Sequence, residues 1–224
     1  MTNLYNKFSL VDFLAYLLPG IYLLVVLAAW IPVIYGDSQL TIMLQVIKDL
    51  PSAVLIIGST GVLGITYLLG CLSSSFILEL EPYLYNIADT TTIKSRQSEK
   101  DAACERVSNI LQKKFGIEGT DLDDAEYVGR SLVYEIAPAC SQLIARQSSV
   151  RQLRRNCIFP TLFLAAAVFT LSGKNHSWGL IALGVFLLVV ARQLTISALS
   201  NRISEIRETF TALVAMSKNH GKDT

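Results

Sequence analysis

Four long runs without a charged side chain dominate the pattern of hydrophobic and polar positions along this chain. They extend over residues 13–36, 50–78, 156–173 and 175–191. A helix needs about 20 mostly apolar residues to cross the hydrocarbon core of a bilayer. The first two runs are long enough and the third is near the minimum. Arg192 ends the fourth run, but its long side chain can reach the headgroups. The pattern therefore predicts four membrane-spanning helices.

Polar stretches separate these runs and divide the chain into segments. No stretch alternates apolar and polar residues for long enough to predict a β-strand. We therefore expect an all-α fold, namely a polytopic membrane protein with four transmembrane helices and a small helical cytoplasmic layer. The predicted segments are a first transmembrane hairpin at 1–78 (spans at about 13–36 and 51–78), a cytoplasmic helical segment at 79–155, a second transmembrane hairpin at 156–200 (spans at about 156–173 and 177–199) and a cytoplasmic amphipathic tail at 201–224.

The central segment has helical patterns of its own. Residues 90–100 read TTTIKSRQSEK, a polar stretch that predicts a loop. Apolar residues at helical spacing between 103 and 115 predict an amphipathic helix. A second helix is expected after the next acidic stretch, and Pro138 interrupts or restarts it before the third span.

Lysine and arginine are distributed unevenly over the connections. Residues 79–155 contain eleven of them and the tail contains four, whereas the two short connections contain only Lys48 and Lys174. Because loops rich in Lys and Arg stay in the cytoplasm, we expect a multi-pass protein of the bacterial inner membrane with both termini cytoplasmic. A cleaved signal peptide is the alternative for the first run, but only Lys7 precedes it and it is longer than an h-region.

Composition supports a membrane protein and argues against an enzyme. Hydrophobic residues make up 52% of the 224 residues and charged residues 17%, whereas soluble domains have about 25% charged residues. The two histidines, His176 and His220, fall in a short external loop and near the end of the tail, so no His-based triad is expected in the cytoplasm. The chain has no nucleotide-binding motif and no Cys/His metal spacing. Acidic residues at 118–126 are interpreted as charges at a helix N-terminus. We expect no catalytic residues, no metal and no cofactor.

Small residues recur in the second span. Small residues let helix backbones approach closely in lipid, so we expect these glycines to pack helices or to join copies of the chain: Gly58, Gly61, Gly64 and Gly70. Three hydroxyl residues also recur there at intervals of seven. They either line a pore or donate hydrogen bonds to backbone carbonyls of packed helices. These are Ser59, Thr66 and Ser73.

Apolar residues in the tail are spaced three and four positions apart, as in a coiled-coil seam. The seam begins inside the fourth span, so we expect that span to continue as one helix past the membrane. The seam either joins copies of the chain, with a homo-tetramer favoured, or packs on the cytoplasmic helices of the same chain. Its members are Ile196, Leu199, Ile203, Ile206, Phe210 and Leu213.

Basic residues cluster where the central segment meets the third span. This basic shoulder either sets orientation and touches anionic lipid, or forms an anion site for a nucleotide or short oligonucleotide. We expect no binding of duplex nucleic acid. The members of the basic shoulder are Arg146, Arg151, Arg154 and Arg155, with Lys113 and Lys114.

The first span opens with an acid and contains a helix breaker. Asp12 and Arg192 are both predicted at the cytoplasmic edge of the membrane, where they can form an ion pair, although Asp12 can also face water. Pro19 and Gly20 predict either a break after a short interfacial helix or a kink in one continuous helix.

Two short stretches and the four-span layout carry a family resemblance. VDFLAYLLPG and RQSSVRQLRRN, together with that layout, are similar to small inner-membrane subunits of bacterial anti-phage defence systems of the Hailong or Kiwa kind. The resemblance implies an oligomeric membrane protein that senses infection or opens a pore in response to a cytoplasmic signal, usually with a soluble partner protein.

Two functions are consistent with these patterns. The first is a gated channel or membrane-disrupting effector. The second is a membrane-anchored sensor or scaffold that recruits a soluble partner protein. An ion-coupled carrier is disfavoured, because the spans contain no acid–base pair away from their ends and no inverted repeat.

Overall fold

The structure is a computed structural model, and it describes residues 10–36, 41–42, 45, 48–49, 51–87, 91–117 and 121–220. This part of the chain contains α-helices and no β-strand, so the all-α fold class is confirmed. The helices are α1 (Leu10–Tyr35), α2 (Ser52–Ile87), α3 (Thr91–Phe115), α4 (Leu122–Ile136), α5 (Pro138–Asn156), α6 (Ile158–Asn175) and α7 (Trp178–His220).

Four stretches are long and apolar enough to cross a membrane, as the sequence predicts. They are Phe13–Tyr35, Gly61–Leu80, Cys140–Asn175 and Trp178–Lys218. The helix α7 has 43 residues, a length of about 65 Å at 1.5 Å per residue. It is much longer than the hydrocarbon core is thick, which confirms that the fourth span continues as one helix into the tail.

The predicted loop at 90–100 is wrong. Residues 91–100 form the first turns of α3. The stretch is polar, but it contains neither glycine nor proline, and Lys, Arg, Gln and Glu are good helix formers. Ile93 is 2% exposed and Lys100 is also buried. Packing of these two side chains therefore stabilises a helix where polarity alone predicts a loop.

The chain forms two compact units. The first unit comprises residues 1–84 and 152–195, and the second unit comprises residues 85–151 and 196–224. The limits lie inside α2, α5 and α7, a few residues from the predicted segment boundaries. The tail and the central segment, which were predicted as separate segments, belong to the same unit.

In the first unit, α1 and α2 approach until their backbones touch. A Cβ atom on Gly20 would lie 1.5 Å from the carbonyl oxygen of Thr66, and one on Gly70 would lie 1.9 Å from the carbonyl oxygen of Tyr16. Both glycines are therefore required by the crossing of these two helices. The sequence predicted a packing role for Gly70, whereas it treated Gly20 only as part of a helix breaker.

Aromatic rings form further contacts between helices of the first unit. Trp30 on α1 stacks on Phe163 of α6 with ring centroids 5.0 Å apart, and its indole Nε1 donates to the carbonyl oxygen of Phe163 at 3.3 Å. Phe76 on α2 stacks on Phe159 of α6 at 5.1 Å. These contacts join α1 and α2 to α6.

The second unit has its own apolar core. Residues of α3, α4, α5 and α7 contribute to it, and they include Ile206 and Leu213 of the tail seam, both fully buried. Ile203 and Leu199 are buried as well. Ile206 and Leu213 thus pack on the helices of the central segment in the same chain, which agrees with the second of the two alternatives for the seam.

Candidate functional site

The second unit contains a cluster of five charged side chains around two buried carboxylates. Glu126 and Arg130 come from α4, Arg151 from α5, and Arg202 and Glu205 from α7. Glu205 is 1% exposed and Glu126 is 5% exposed. We call these five residues the charge cluster.

Each carboxylate of the charge cluster contacts two guanidinium groups. Arg130 Nη1 lies 2.5 Å from Glu205 Oε1, and Arg151 Nη1 lies 3.3 Å from Glu205 Oε2. Arg202 donates from Nε and Nη2 to Glu126 Oε2 at 3.1 and 2.9 Å, and Arg151 Nη1 is 3.6 Å from Glu126 Oε1. Arg151 bridges the two acids, so the cluster ties α4, α5 and α7 together.

The charge cluster is not fully satisfied by hydrogen bonds. Glu205 Oε2 and Arg151 Nε are buried and make none, although the charges lie close together. Three arginines against two glutamates leave a formal excess of one positive charge. Removing one charge from such a cluster leaves its partners buried and without a counter-charge. Substitutions in the charge cluster should therefore lower the stability of the second unit.

The basic shoulder does not form one cationic face in the structure. Arg151 is directed at Glu126 and Glu205, and Arg155 Nη2 donates to Ser74 Oγ at 3.2 Å in the first unit. Arg154 is half-buried and also has a partner. The exposed members are Arg146, Lys113 and Lys114.

An open groove of about 410 Å³ lies beside α5 and α7 in the second unit. Its lining combines one exposed guanidinium with amide, hydroxyl and aliphatic side chains. The lining residues are Leu143, Arg146, Gln147, Val150, Asn201 and Ser204. Of the residues predicted to bind an anion, only Arg146 lines this groove.

In the first unit, the polar side chains compensate for two prolines. Pro19 lies inside α1 and has no N–H for the carbonyl of Ala15, four residues before it. Asn156 Nδ2 donates to this carbonyl oxygen at 3.2 Å. In the same way Pro160 cannot donate to the carbonyl of Asn156, and Ser73 Oγ donates there at 2.6 Å. The acceptors freed by Pro19 and Pro160 are thus both satisfied by side chains of other helices, as lipid requires.

This arrangement explains the junction of α5 and α6. Cys157 N–H donates to the carbonyl of Leu153, and Thr161 N–H donates to the carbonyl of Cys157, both at 3.2 Å. The helical hydrogen-bond pattern therefore continues on each side of the position at which Pro160 interrupts it. α1 also continues through Pro19, so the kink alternative for Pro19 and Gly20 agrees with the structure and the break does not.

The three hydroxyl residues of the second span lie in different environments. Thr66 is buried and donates to the carbonyl of Leu63 at 2.9 Å. Ser73 is buried and bonded to Asn156, whereas Ser59 is exposed. Thr66 and Ser73 therefore pack helices and do not line an aqueous path in this conformation of the single chain.

Two other predicted features are only partly within the described residues. Gly61 and Gly64 are exposed, and a Cβ atom on either would meet nothing within 4 Å, whereas the surroundings of Gly58 lie outside the part of the chain that the structure describes. The side chain of Asp12 also lies outside it, so its ion pair with Arg192 stays a prediction. Arg192 itself is exposed.

An exposed ion pair connects α3 and α7 in the second unit. Arg207 Nη2 contacts Glu99 Oε1, and Arg96 Nη1 donates to Glu99 Oε2 at 2.9 Å. The hydrogen bond from Arg96 and the charge of Arg207 lower the pKa of Glu99 below its ordinary value of 4.5. The ionised carboxylate is therefore the form that the folded chain favours.

The lowered pKa predicts a pH-dependent contribution to stability. A carboxylate whose pKa is lower when folded stabilises the fold above its unfolded pKa, and this contribution is lost as the pH falls through the folded pKa. The unfolding midpoints of the wild type and of Glu99→Gln should therefore differ slightly at pH 7 and converge well below pH 4.5. If the two unfolding midpoints differ in acid by as much as they do at pH 7, the charge of Glu99 is not the cause of the difference.

Sequence reasoning missed most of the charge cluster and the role of Asn156. Glu126 was interpreted as a charge at a helix N-terminus, and Glu205 falls between two seam residues, Ile203 and Ile206. A charge on the buried face of an apolar seam is a signal that a partner must lie opposite it. For Asn156, the signal is an amide side chain at the start of an apolar span, where a buried polar group needs a partner.

Within the residues that the structure describes, no three or more His, Cys, Asp or Glu side chains are placed to hold a metal ion. The four long apolar helices place the chain in the class of multi-pass helical membrane proteins. Comparison with protein-family models, with curated proteins and with solved structures finds no match.

Proposed function

We propose that this chain is a membrane-anchored sensor or scaffold of the bacterial inner membrane that recruits a soluble partner protein through its second unit. In this proposal both termini and the second unit are cytoplasmic, and the role in anti-phage defence follows the family resemblance. The chain acts by binding, without catalysis.

One observation favours this function over a pore within a single chain. Every buried polar side chain of the first unit, among the residues described, makes a hydrogen bond to another group of the same chain. These bonds join Thr66, Ser73, Asn156, Thr161, Ser172 and Thr195 to backbone carbonyls and Ser74 to Arg155. A bundle in which each of these buried side chains is bonded within the same chain is suited to anchoring.

The distribution of charge supports the proposed orientation, and two aromatic residues mark an interface between lipid and water. Fifteen Lys and Arg residues lie in 79–155 and the tail, against two in the short connections. Tyr35 ends α1 and Trp178 begins α7, and they are 72% and 83% exposed. Aromatic residues of this kind favour the interface between lipid and water, and alternating spans put both on the external side.

A channel or membrane-disrupting effector made of several copies is the second candidate. It is favoured by the outer face of α2, where Ser59, Gly61 and Gly64 are exposed and the glycines have open space around them. Close packing of this face between four chains would bring Ser59 hydroxyls together. This candidate needs an oligomer, whereas the scaffold does not.

The two candidates give different results in cells. A photo-crosslinking residue in place of Tyr127, an exposed residue of α4, should capture a soluble protein, whereas the same residue in place of Trp178 should not, because it is external. Expression of the wild type should leave the signal of a membrane-potential dye unchanged. A collapse of the potential that Gly64→Leu prevents would favour the channel, and equal capture at both positions would contradict the scaffold and its orientation.

A further inference from the structure

We propose that the open groove beside α5 and α7 is the docking site for the soluble partner protein, and that it receives an acidic side chain of that partner together with aliphatic side chains beside it. This inference rests on the proposed function, because it states where and by what chemistry the partner of the second unit binds. The groove is formed entirely within the second unit.

The shape of the groove suits a protein surface. Its lining on α5 extends from Leu143 to Val150, which is about 10 Å along the helix at 1.5 Å per residue. The groove has a volume of about 410 Å³ and is open to solvent. A small ligand is usually buried over most of its surface in its site, which an open groove does not achieve. A partner protein covers such a groove with its own surface.

The charge in the groove is a single guanidinium group. Arg146 is the one charged side chain among the described residues that line the groove, and it is exposed. None of the ion pairs formed within the described part of the chain includes it. Its donors can therefore bind a carboxylate from outside, in the two-pronged geometry that arginine favours. By contrast, five other arginines of the second unit contact glutamates, namely Arg96, Arg130, Arg151, Arg202 and Arg207.

The surroundings of the groove make it attractive to an acid. The helix α5 contains four arginines and no acidic residue. Arg151 and Arg202 of the charge cluster, which has one excess positive charge, directly follow two lining residues in the chain, Val150 and Asn201. Glu208 lies further along α7 and does not line the groove. A positive surface of this kind favours an acidic partner and repels a basic one.

The number of charges decides between an acidic protein and a nucleic acid. One lining cation matches one carboxylate, whereas binding of an oligonucleotide depends on several Lys or Arg contacts with phosphates. Aliphatic side chains flank the cation: Leu143 lies one turn before Arg146 and is 47% exposed, and Val150 lies one turn after it. The groove therefore matches an acidic residue with aliphatic residues on both sides.

A crosslinking experiment in cells tests where the partner docks. A photo-crosslinking residue replaces Leu143 in the full-length chain, and the crosslinked peptide is identified by mass spectrometry. We expect a peptide of a soluble protein in which Asp or Glu lies within one helical turn of aliphatic residues. Capture at Tyr127 but not at Leu143 would overturn the docking site and leave the proposed function standing. Capture at neither position would overturn both.

Charge reversal tests the role of Arg146. The affinity of the captured protein is measured for the full-length chain in lipid nanodiscs. Arg146→Glu should weaken binding about ten- to hundredfold, as expected for the loss of charge-assisted hydrogen bonds. Replacing the acidic residue of the crosslinked peptide by lysine should restore binding to Arg146→Glu and weaken binding to the wild type. Arg106→Glu is the matched control, because Arg106 is an exposed arginine of the second unit that does not line the groove; it should leave the affinity unchanged.

Three further results would overturn the docking site. They are an unchanged affinity in Arg146→Glu, an equal loss in Arg106→Glu, and a crosslink from position 143 to a second copy of the chain. Because Arg146 is exposed and outside the ion pairs, Arg146→Glu should fold, and an unchanged reactivity of the buried thiol of Cys104 would verify this. If that reactivity changes, the reciprocal lysine variant of the partner decides, since restored binding supports the contact and continued loss overturns it.

Discussion

Gly20→Ala and Gly70→Ala should each lower the free energy of unfolding of the first unit by more than about 3 kcal/mol. The added Cβ would lie 1.5 Å from the carbonyl oxygen of Thr66 in the first case and 1.9 Å from that of Tyr16 in the second. A backbone oxygen cannot rotate away as a side chain can. The helices α1 and α2 must separate, and the aromatic and hydrogen-bonded contacts around the crossing are lost with them.

The same substitution elsewhere on α2 provides the control. Gly64→Ala adds a Cβ that meets nothing within 4 Å, and alanine is favoured over glycine in a helix by about 0.5–1 kcal/mol. The two substitutions on α2 should therefore change stability in opposite directions. Unfolding can be followed in detergent by tryptophan fluorescence, because Trp30 and Trp178 are the two tryptophans of the chain and both belong to the first unit. Equal midpoints for Gly70→Ala and Gly64→Ala would contradict the close crossing.

Glu205→Gln should destabilise the second unit by about 3–5 kcal/mol, the range observed when one partner of a buried ion pair is removed. The glutamate is 1% exposed and contacts Arg130 and Arg151. Glutamine has nearly the same shape but no charge, so packing is kept while the guanidinium groups lose half of their negative partners. Arg130 is affected most, because its 2.5 Å contact is with Glu205.

Two further variants separate charge from packing in the charge cluster. Glu99→Gln removes the carboxylate of the exposed pair and should have only a small effect, because solvent screens surface ion pairs. Adding Arg130→Gln to Glu205→Gln should recover part of the lost stability, since an unbalanced charge is removed. The reporter is the rate at which Cys104 reacts with a thiol reagent, because this cysteine is fully buried in the core of the second unit. A double variant no more stable than Glu205→Gln would mean that the cluster acts through shape alone.

The amino-acid sequence by itself determined the class of this protein. The number of spans and the all-α fold depend on runs of about 20 uncharged residues. Because charge is costly to bury in lipid, each run can be recognised without knowledge of the others. The continuation of the fourth span into the tail was readable as well, because residues 196–213 keep a helical period without a break. These are properties of one helix, and neighbours change them little.

Only the tertiary structure decided which faces of the helices meet. The seam containing Ile206 and Leu213 is compatible with another copy of the chain, and in the structure these two residues pack on helices of the same chain. Glycines in one span looked equivalent in sequence, yet Gly70 touches α1 and Gly64 touches nothing. The rotation of each helix about its axis decides these outcomes, and several faces of an apolar helix have nearly the same hydrophobicity.

The prolines show most clearly where the information in the sequence ends and the tertiary structure decides. Sequence alone marks the carbonyls of Ala15 and Asn156 as unpaired, because each lies four residues before a proline. It does not say which side chains satisfy them. Their donors, Asn156 and Ser73, lie 141 and 83 residues away along the chain. A local rule determined that the hydrogen bonds of these two carbonyls were missing, and the folding of distant helices onto one another decided what replaced them.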